Sequence, residues 1–217
     1  MLLTYLFKNF TEEATLLREA QISATDLSDL TQKRVMPKPS YIVENKADVT
    51  SFVMENSEIK LYRFHLKGHV KWLEAVQALN LDTEARAKAH FQSEYENAAT
   101  VFFSDALGAS ILAIMPHLAK EFDAAHFDAT WAYFLEGVYG VCTRNGTPEN
   151  IFLKQACVRF IDYFTEAFLD AQISPDRRET ILATVDFLDK VESNFAPHEV
   201  SITSRQRCII DVRKRWR

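Results

Sequence analysis

Apolar residues recur at spacings of three and four through most of the chain, the period of an amphipathic helix. Val70, Leu73, Val76 and Leu79 mark one helix after Leu66. Thr83 is a cap for a long one, along which Phe91, Tyr95, Ala98, Phe102, Ala106, Ala109 and Ala113 keep the period until Pro116. Asp123 starts the next, with Phe127, Trp131, Phe134, Val138 and Val141 on one stripe. Thr147-Pro148-Glu149 and Ser174-Pro175-Asp176 each place a cap, a proline at N1 and an acid at N2. The helix after the first carries Leu153, Cys157, Phe160, Ile161, Phe164 and Phe168; the helix after the second carries Ile181, Val185 and Leu188. Phe195-Ala196-Pro197 is a break, and Thr203 with Gln206 forms a capping-box pattern before a last helix, Cys208 to Trp216.

The first 65 residues read differently. Leu2, Leu3, Leu6 and Phe7, with Phe10 following, predict one short helix. Thr11 is read as the cap of the next, with Glu12 and Glu13 in its first turn and Leu16 and Leu17 on its core side. A tight turn at Gln21-Ile22-Ser23 leads to a second short helix with Asp26 in a capping-box position and Leu27 and Leu30 inward, closed by Pro37 and Pro39. In Ser40–Phe64, Tyr41–Val43 and Ile59–Phe64 favour strands, and Asn45-Lys46 and Asn56-Ser57 are turn candidates. These fit a small hairpin or wing; Val49, Phe52 and Val53 fit a one-turn helix equally well.

The expected fold is mainly α: an irregular helical bundle over 66–217, preceded over 1–65 by a small helix-turn-helix-like module with a possible short β-hairpin. Composition agrees, since 5 Gly and 6 Pro against 16 Phe in 217 residues is too few turn residues for a β-sandwich. The net charge of −5 gives no global basic field for nucleic acid. No apolar run is long enough to span a membrane, and MLLTYLFKNF lacks the basic region and cleavage site of a signal peptide. Three widely spaced cysteines, Cys142, Cys157 and Cys208, fit a reducing, cytoplasmic compartment.

Four features carry candidate chemistry. Thr11–Tyr41 resembles the DNA-binding module of the mercury-resistance-regulator family, with Ser23, Leu27, Val35, Met36 and Pro37 at matching offsets. That resemblance implies a transcription regulator with Lys33 and Arg34 on its surface. Where the family has an arginine and an aromatic after the leucine, this chain has Ser28 and Asp29, and Asp26 and Asp29 would repel a phosphate backbone. DNA is therefore a disfavoured partner. The C-terminal helix gathers Arg205, Arg207, Arg213, Lys214, Arg215 and Arg217 against Asp211, beside an apolar stripe of Cys208, Ile209, Val212 and Trp216. It suits an anionic membrane, nucleic acid or an acidic partner, or docking on the acidic body of its own chain. His65 and His69 stand at a metal-compatible spacing, as do His90 with Glu94 and His117 with Glu121, but no HExxH, CxxC or paired Glu-x-x-His accompanies them, so no cofactor is expected. Finally, Tyr139–Gly146 places Cys142 beside Arg144, with Trp131 and Tyr133 one or two turns back, as a candidate ligand site for an anion.

The segments KPSY at 38–41, YGVCTRNGTPENI at 139–151, FAPHE at 195–199 and SRQRCIIDVRKRW at 204–216 together resemble a family of uncharacterised bacterial proteins of about this length, some labelled natural-product biosynthesis proteins. The resemblance implies that Arg144, Cys142, Arg205 and the Pro-Ser-Tyr element are family features, and implies no activity. The reading is thus a helical protein that binds a small ligand or a protein partner, with a helix-turn-helix regulator as the alternative and no complete catalytic constellation.

Overall fold

The computed structural model describes residues 2–169 and 172–217. The chain begins with helix α1 (Leu2–Asn9), strand β1 (Phe10–Glu12), helices α2 (Glu13–Ala20) and α3 (Ala24–Gln32), and strands β2 (Tyr41–Thr50) and β3 (Glu55–Leu66). Thr11 does not cap α2. It lies in β1, opposite His65, and the cap is Glu12, whose carboxylate accepts from Ala14 N–H at 3.0 Å. The pairing that draws Thr11 into a strand comes from residues more than fifty positions away, which local periodicity does not register. Gln21 turns the chain in the left-handed region, and α3 opens on the expected capping box: Ser23 Oγ accepts from Asp26 N–H at 3.1 Å and Asp26 accepts from Ser23 N–H at 3.0 Å.

The stretch after Pro39 is a hairpin, and Val49, Phe52 and Val53 do not form a helical turn. Its turn lies at Ser51–Met54, where Ser51 Oγ accepts from the N–H groups of Val53 and Met54 at 3.2 Å. Asn45-Lys46 and Asn56-Ser57, read as turns, sit inside the strands opposite Lys60-Ile59 and Val49-Asp48. The sheet is antiparallel in the order β1-β3-β2. Helix, strand, helix-turn-helix, and a hairpin whose last strand returns to pair with the first make the topology of a winged helix-turn-helix.

The rest is helical: α4 (His69–Ala78), α5 (Glu84–Ser104), α6 (Ala106–Ile114), a 3-10 turn at Leu118–Glu121, α7 (Ala124–Leu135), α8 (Val138–Cys142), α9 (Pro148–Ala167), α10 (Pro175–Val191), a π turn at Arg205–Ile210 and α11 (Asp211–Trp216). Three expected helices are shorter or start differently. The long one breaks at Asp105, which leaves α5 in an extended conformation and caps α6 by accepting from Gly108 N–H at 2.7 Å; the two axes differ by 80°. The stripe after Asp123 stops at Leu135, because Gly137 takes φ +76°, so Val138 and Val141 belong to α8. The capping box at Thr203 is absent: its hydroxyl donates back to Val200 O at 2.9 Å, Gln206 reaches Asp211, and the helix starts as the π turn. The caps at Thr147 and Ser174 form as read, each accepting from the N–H three residues on.

One apolar core runs through the molecule. Leu16, Ala20, Leu27, Val35 and Met36 join Trp72, Leu73, Phe91, Tyr95, Phe102, Trp131, Phe134, Phe152, Phe160 and Phe164 in it. A smaller cluster, Leu6, Phe10, Phe64 and Leu66, seats α1 on the sheet. No single helix among the described residues is long and apolar enough to cross a membrane.

Gly137 tests the join between α7 and the loop after α3. A Cβ there would stand 2.7 Å from Lys38 O on a backbone that favours glycine. Gly137→Ala is expected to destabilise the protein by at least about 1 kcal/mol, read as a lowered urea midpoint with an unchanged slope.

Candidate functional site

The four segments that resemble a family meet in space. Ser40 packs on Gly140, where a Cβ would fall 1.8 Å from Ser40 Oγ. Tyr41 donates its hydroxyl to Glu199 at 2.7 Å, and the same oxygen accepts from Ala196 N–H at 3.2 Å. Thr143 forms an isolated antiparallel bridge with Glu192, and Arg144 N–H donates to Val191 O at 2.9 Å. The Arg144 guanidinium closes the end of α10 by donating to the carbonyls of Asp189 at 2.9 Å and Glu192 at 3.3 Å, where a cation suits both the unpaired carbonyls and the dipole.

The basic C-terminal segment docks on its own chain. Cys208, Ile209, Val212 and Trp216 are buried, and Arg205, Arg207, Arg213 and Arg217 pair with acids of α9 and α10. Arg205 reaches Asp189 at 2.7 Å, Arg213 reaches Asp189 at 2.9 Å and Asp186 at 2.7 Å, Arg217 reaches Asp186 at 3.0 Å, and Arg207 reaches Asp162 at 2.9 Å. Arg215 lies over the Trp216 ring at 4.8 Å. Burial pushes the Asp189 carboxyl up, but the hydrogen bonds and charges of Arg213 and Arg205 outweigh it and hold the group below its usual value. Beneath them lies Glu192, fully buried, accepting from Ser204 Oγ and facing Lys154 at 3.5 Å; burial raises its carboxyl against the pull of Lys154 and Ser204.

Over this junction α1 and residues 193–197 leave a groove. Its inner part, about 60 Å³, is lined by Tyr5, Asn9, Phe10, Leu66, Thr143, Arg144, Ser193 and Asn194. Its open part, about 470 Å³, adds Thr4, Lys8, Phe195 and Pro197. Among the described residues, the lining holds two cations, two amides and several hydroxyls, and no carboxylate. Phe195 forms one wall at φ +54°, an unusual conformation for a residue with a Cβ. The Tyr5 hydroxyl is pushed up to about 12, by burial first and then by Glu199, so it is a neutral donor at physiological pH.

The earlier candidates divide. Arg144 lines the groove. Tyr139 is buried with its hydroxyl accepting from Gln155 at 2.7 Å, Trp131 is a core residue whose indole N–H donates to Glu84 at 3.0 Å, and Tyr133 is exposed. Burial raises the Cys142 thiol above its usual value, the opposite of what a nucleophile needs. Arg34 is ion-paired with Glu84 at 2.8 Å, while Lys33 is exposed. His65 and His69 are buried, edge to face at 5.8 Å; His65 meets Glu13 at 3.3 Å, and His69 is lowered to about 3 by burial and then by His65. Among the described residues, no three His, Cys, Asp or Glu side chains are grouped to hold a metal. Tyr5, Lys8, Asn9, Ser193 and Asn194 carried no sequence signal, because α1 reads only as an apolar helix until residue 194 is placed beside it.

A second hollow, about 270 Å³, lies between α5, α9 and α10 and is lined by Glu94, Asn97, Asp105 and Glu149 among apolar residues. Asp105 is committed to capping α6, and no cation and none of the four segments except Glu149 enters it. The groove is therefore the better candidate.

The chain belongs to a family of unknown function, DUF6058. Its model matches residues 87–217. No curated protein and no solved structure matches the chain. The matched part supplies Thr143, Arg144 and the 193–197 wall of the groove, whereas Tyr5, Lys8 and Asn9 come from outside it.

The pairing of Asp189 has a pH signature. Its folded-state value lies below the usual 3.8, so its contribution is present above that value and is lost as pH falls through the lowered one. Asp189→Asn is expected to lower the melting temperature at pH 7, with the gap from the unsubstituted protein closing below about pH 4; a gap independent of pH would contradict the assignment.

Proposed function

We propose that this chain is a binding protein whose site is the groove between α1 and residues 193–197, and that its ligand is a small anion with an apolar body. The lining carries this reading: Lys8 and Arg144, the Asn9 and Asn194 amides and the Tyr5 hydroxyl, with no carboxylate among the described residues, in a chain of net charge −5. Phe195, Pro197 and the Tyr5 ring suit the apolar body. The raised Cys142 thiol supports binding rather than nucleophilic catalysis. Three free cysteines, two of them buried, support a reducing, cytoplasmic setting.

A second reading, a transcription regulator, is favoured by the winged helix-turn-helix topology and by the exposure of Thr25, Ser28 and Gln32 along α3 and of Lys33 at its end. Asp26 and Asp29 lie on the same exposed helix, and Arg34 is engaged by Glu84, so the surface offers little to a phosphate backbone.

Melting in the presence of aryl and alkyl carboxylates and phosphate monoesters separates the two. A ligand at about a hundred times its Kd adds about 2.7 kcal/mol, a shift of several degrees. Lys8→Glu, at an exposed position in the last turn of α1, is expected to remove the shift while lowering the ligand-free melting temperature only slightly, through the helix dipole. If no anion raises the melting temperature and a low-salt mobility-shift assay retards duplex DNA, the regulator reading replaces the first.

A further inference from the structure

The hairpin β2–β3 extends well past the short strand β1. Only Phe10–Glu12 of β1 pair with β3, at Leu66–Phe64, whereas β2 follows β3 over all its 10 residues. Among the described residues, nothing pairs with the other edge of β2. The register runs unbroken from Tyr41↔Phe64 to Thr50↔Glu55, with no proline or bulge to blunt that edge. The tip is apolar and open: Phe52 is fully exposed, and Val49, Val53 and Met54 are exposed beside it.

The hydrogen-bond phase of that edge is set. Ser51 N–H donates to Met54 O at 3.0 Å and closes the hairpin. Bonding alternates in an antiparallel ladder, so Ser51, Val49, Ala47, Asn45 and Val43 exchange bonds with β3. Ile42, Glu44, Lys46, Asp48 and Thr50 turn their N–H and C=O groups outward. A second β2 laid antiparallel on this edge must match outward residues with outward residues. Two such registers engage nearly the whole strand. Centred on Lys46, the pairing sets Lys46 against itself and Glu44 against Asp48, which repel. Centred on Asn45, it sets Glu44 against Lys46 on both sides of the axis, and on the other face Val43 against Ala47 and Tyr41 against Val49. Ile42 against Asp48 is its one mismatch.

We propose that β2 is a dimerisation edge, pairing antiparallel with β2 of a second copy of this chain about a twofold axis at Asn45. The two three-stranded sheets then run on as one, and the open edge becomes an interior seam. The same register carries the tip, Phe52 and Val53, level with Lys38 and Pro37 of the second copy, so the exposed apolar turn meets protein rather than water. The surface is self-complementary, as a twofold contact requires. It is independent of the groove beside α1.

Sedimentation and light scattering across the micromolar range test it on the full chain. The expected result is a dimer for the unsubstituted protein. Glu44→Lys and Lys46→Glu each put like charges opposite one another twice, so each is expected to raise the dimer dissociation constant about tenfold or more. The combined E44K/K46E variant restores the opposition and is expected to return to the unsubstituted value. Both sites are exposed, and circular dichroism checks that the fold is retained. A protein that is monomeric throughout, a dimer indifferent to both single reversals, or a double variant no tighter than the singles would overturn the proposal.

Discussion

A buried indole N–H must find an acceptor, and the way Trp72 finds one sets the arrangement of the whole chain. It donates to Val35 O at 2.8 Å, in the exit from the helix-turn-helix. Its ring meets Phe134 at 5.1 Å and Phe91 at 6.3 Å, and Phe91 in turn meets Trp131 at 5.5 Å and Phe134 at 4.8 Å. One side chain thus joins the N-terminal module to α5 and α7. Unmaking that hydrogen bond would strand a donor in an apolar core, a cost of about 1–3 kcal/mol. Arg34 with Glu84 and Lys38 with Glu136 lie around the contact but are exposed pairs, worth about 0–1 kcal/mol each. Aromatic packing and the satisfied indole, rather than the ion pairs, hold the module where it is.

A second constraint acts at the other end. Glu192 is a buried carboxylate with one oxygen satisfied by Ser204 and Lys154 nearby, while its second oxygen has no partner among the described residues. Such a group costs more to bury than an apolar one, so it is poor evidence for stability and better evidence for positioning. It sits where α10 ends and residues 193–197 begin, with Arg144 closing the carbonyls above it. The groove inherits its walls from this junction. Arg205, Arg207, Arg213 and Arg217 are engaged by Asp162, Asp186 and Asp189, so a stretch that reads as an interaction surface works here as an internal clasp.

Legibility in the sequence followed the range of the interaction. Caps at Ser23, Thr83, Asp123, Thr147 and Ser174 lie within three residues of the N–H groups that donate to them and are visible as local pattern. Asp105 is as good a cap as any of these, yet it sits in a run of alanines that continues the helical period, so the period masked it. Thr11 was lost to a strand partner at His65. Of the candidate site, Arg144 was legible because it stands in a distinctive loop between two clear helices. Tyr5, Lys8 and Asn9 were not, because polar residues on an amphipathic helix announce only an outward face.

The chain by itself determined that the protein is mainly helical, where most of its helices start, and that residues 13–32 make two short helices around a tight turn. These follow from backbone propensity, capping and amphipathic period, all satisfied within a few residues. Tertiary structure alone decided that the hairpin closes on Phe10–Glu12, that the basic C-terminus folds back onto α9 and α10, and that Arg144 meets Tyr5 and Asn194 in one groove. Each of these joins groups far apart in sequence. Their pairing depends on which buried polar atoms and apolar faces are left over once the local structure has formed.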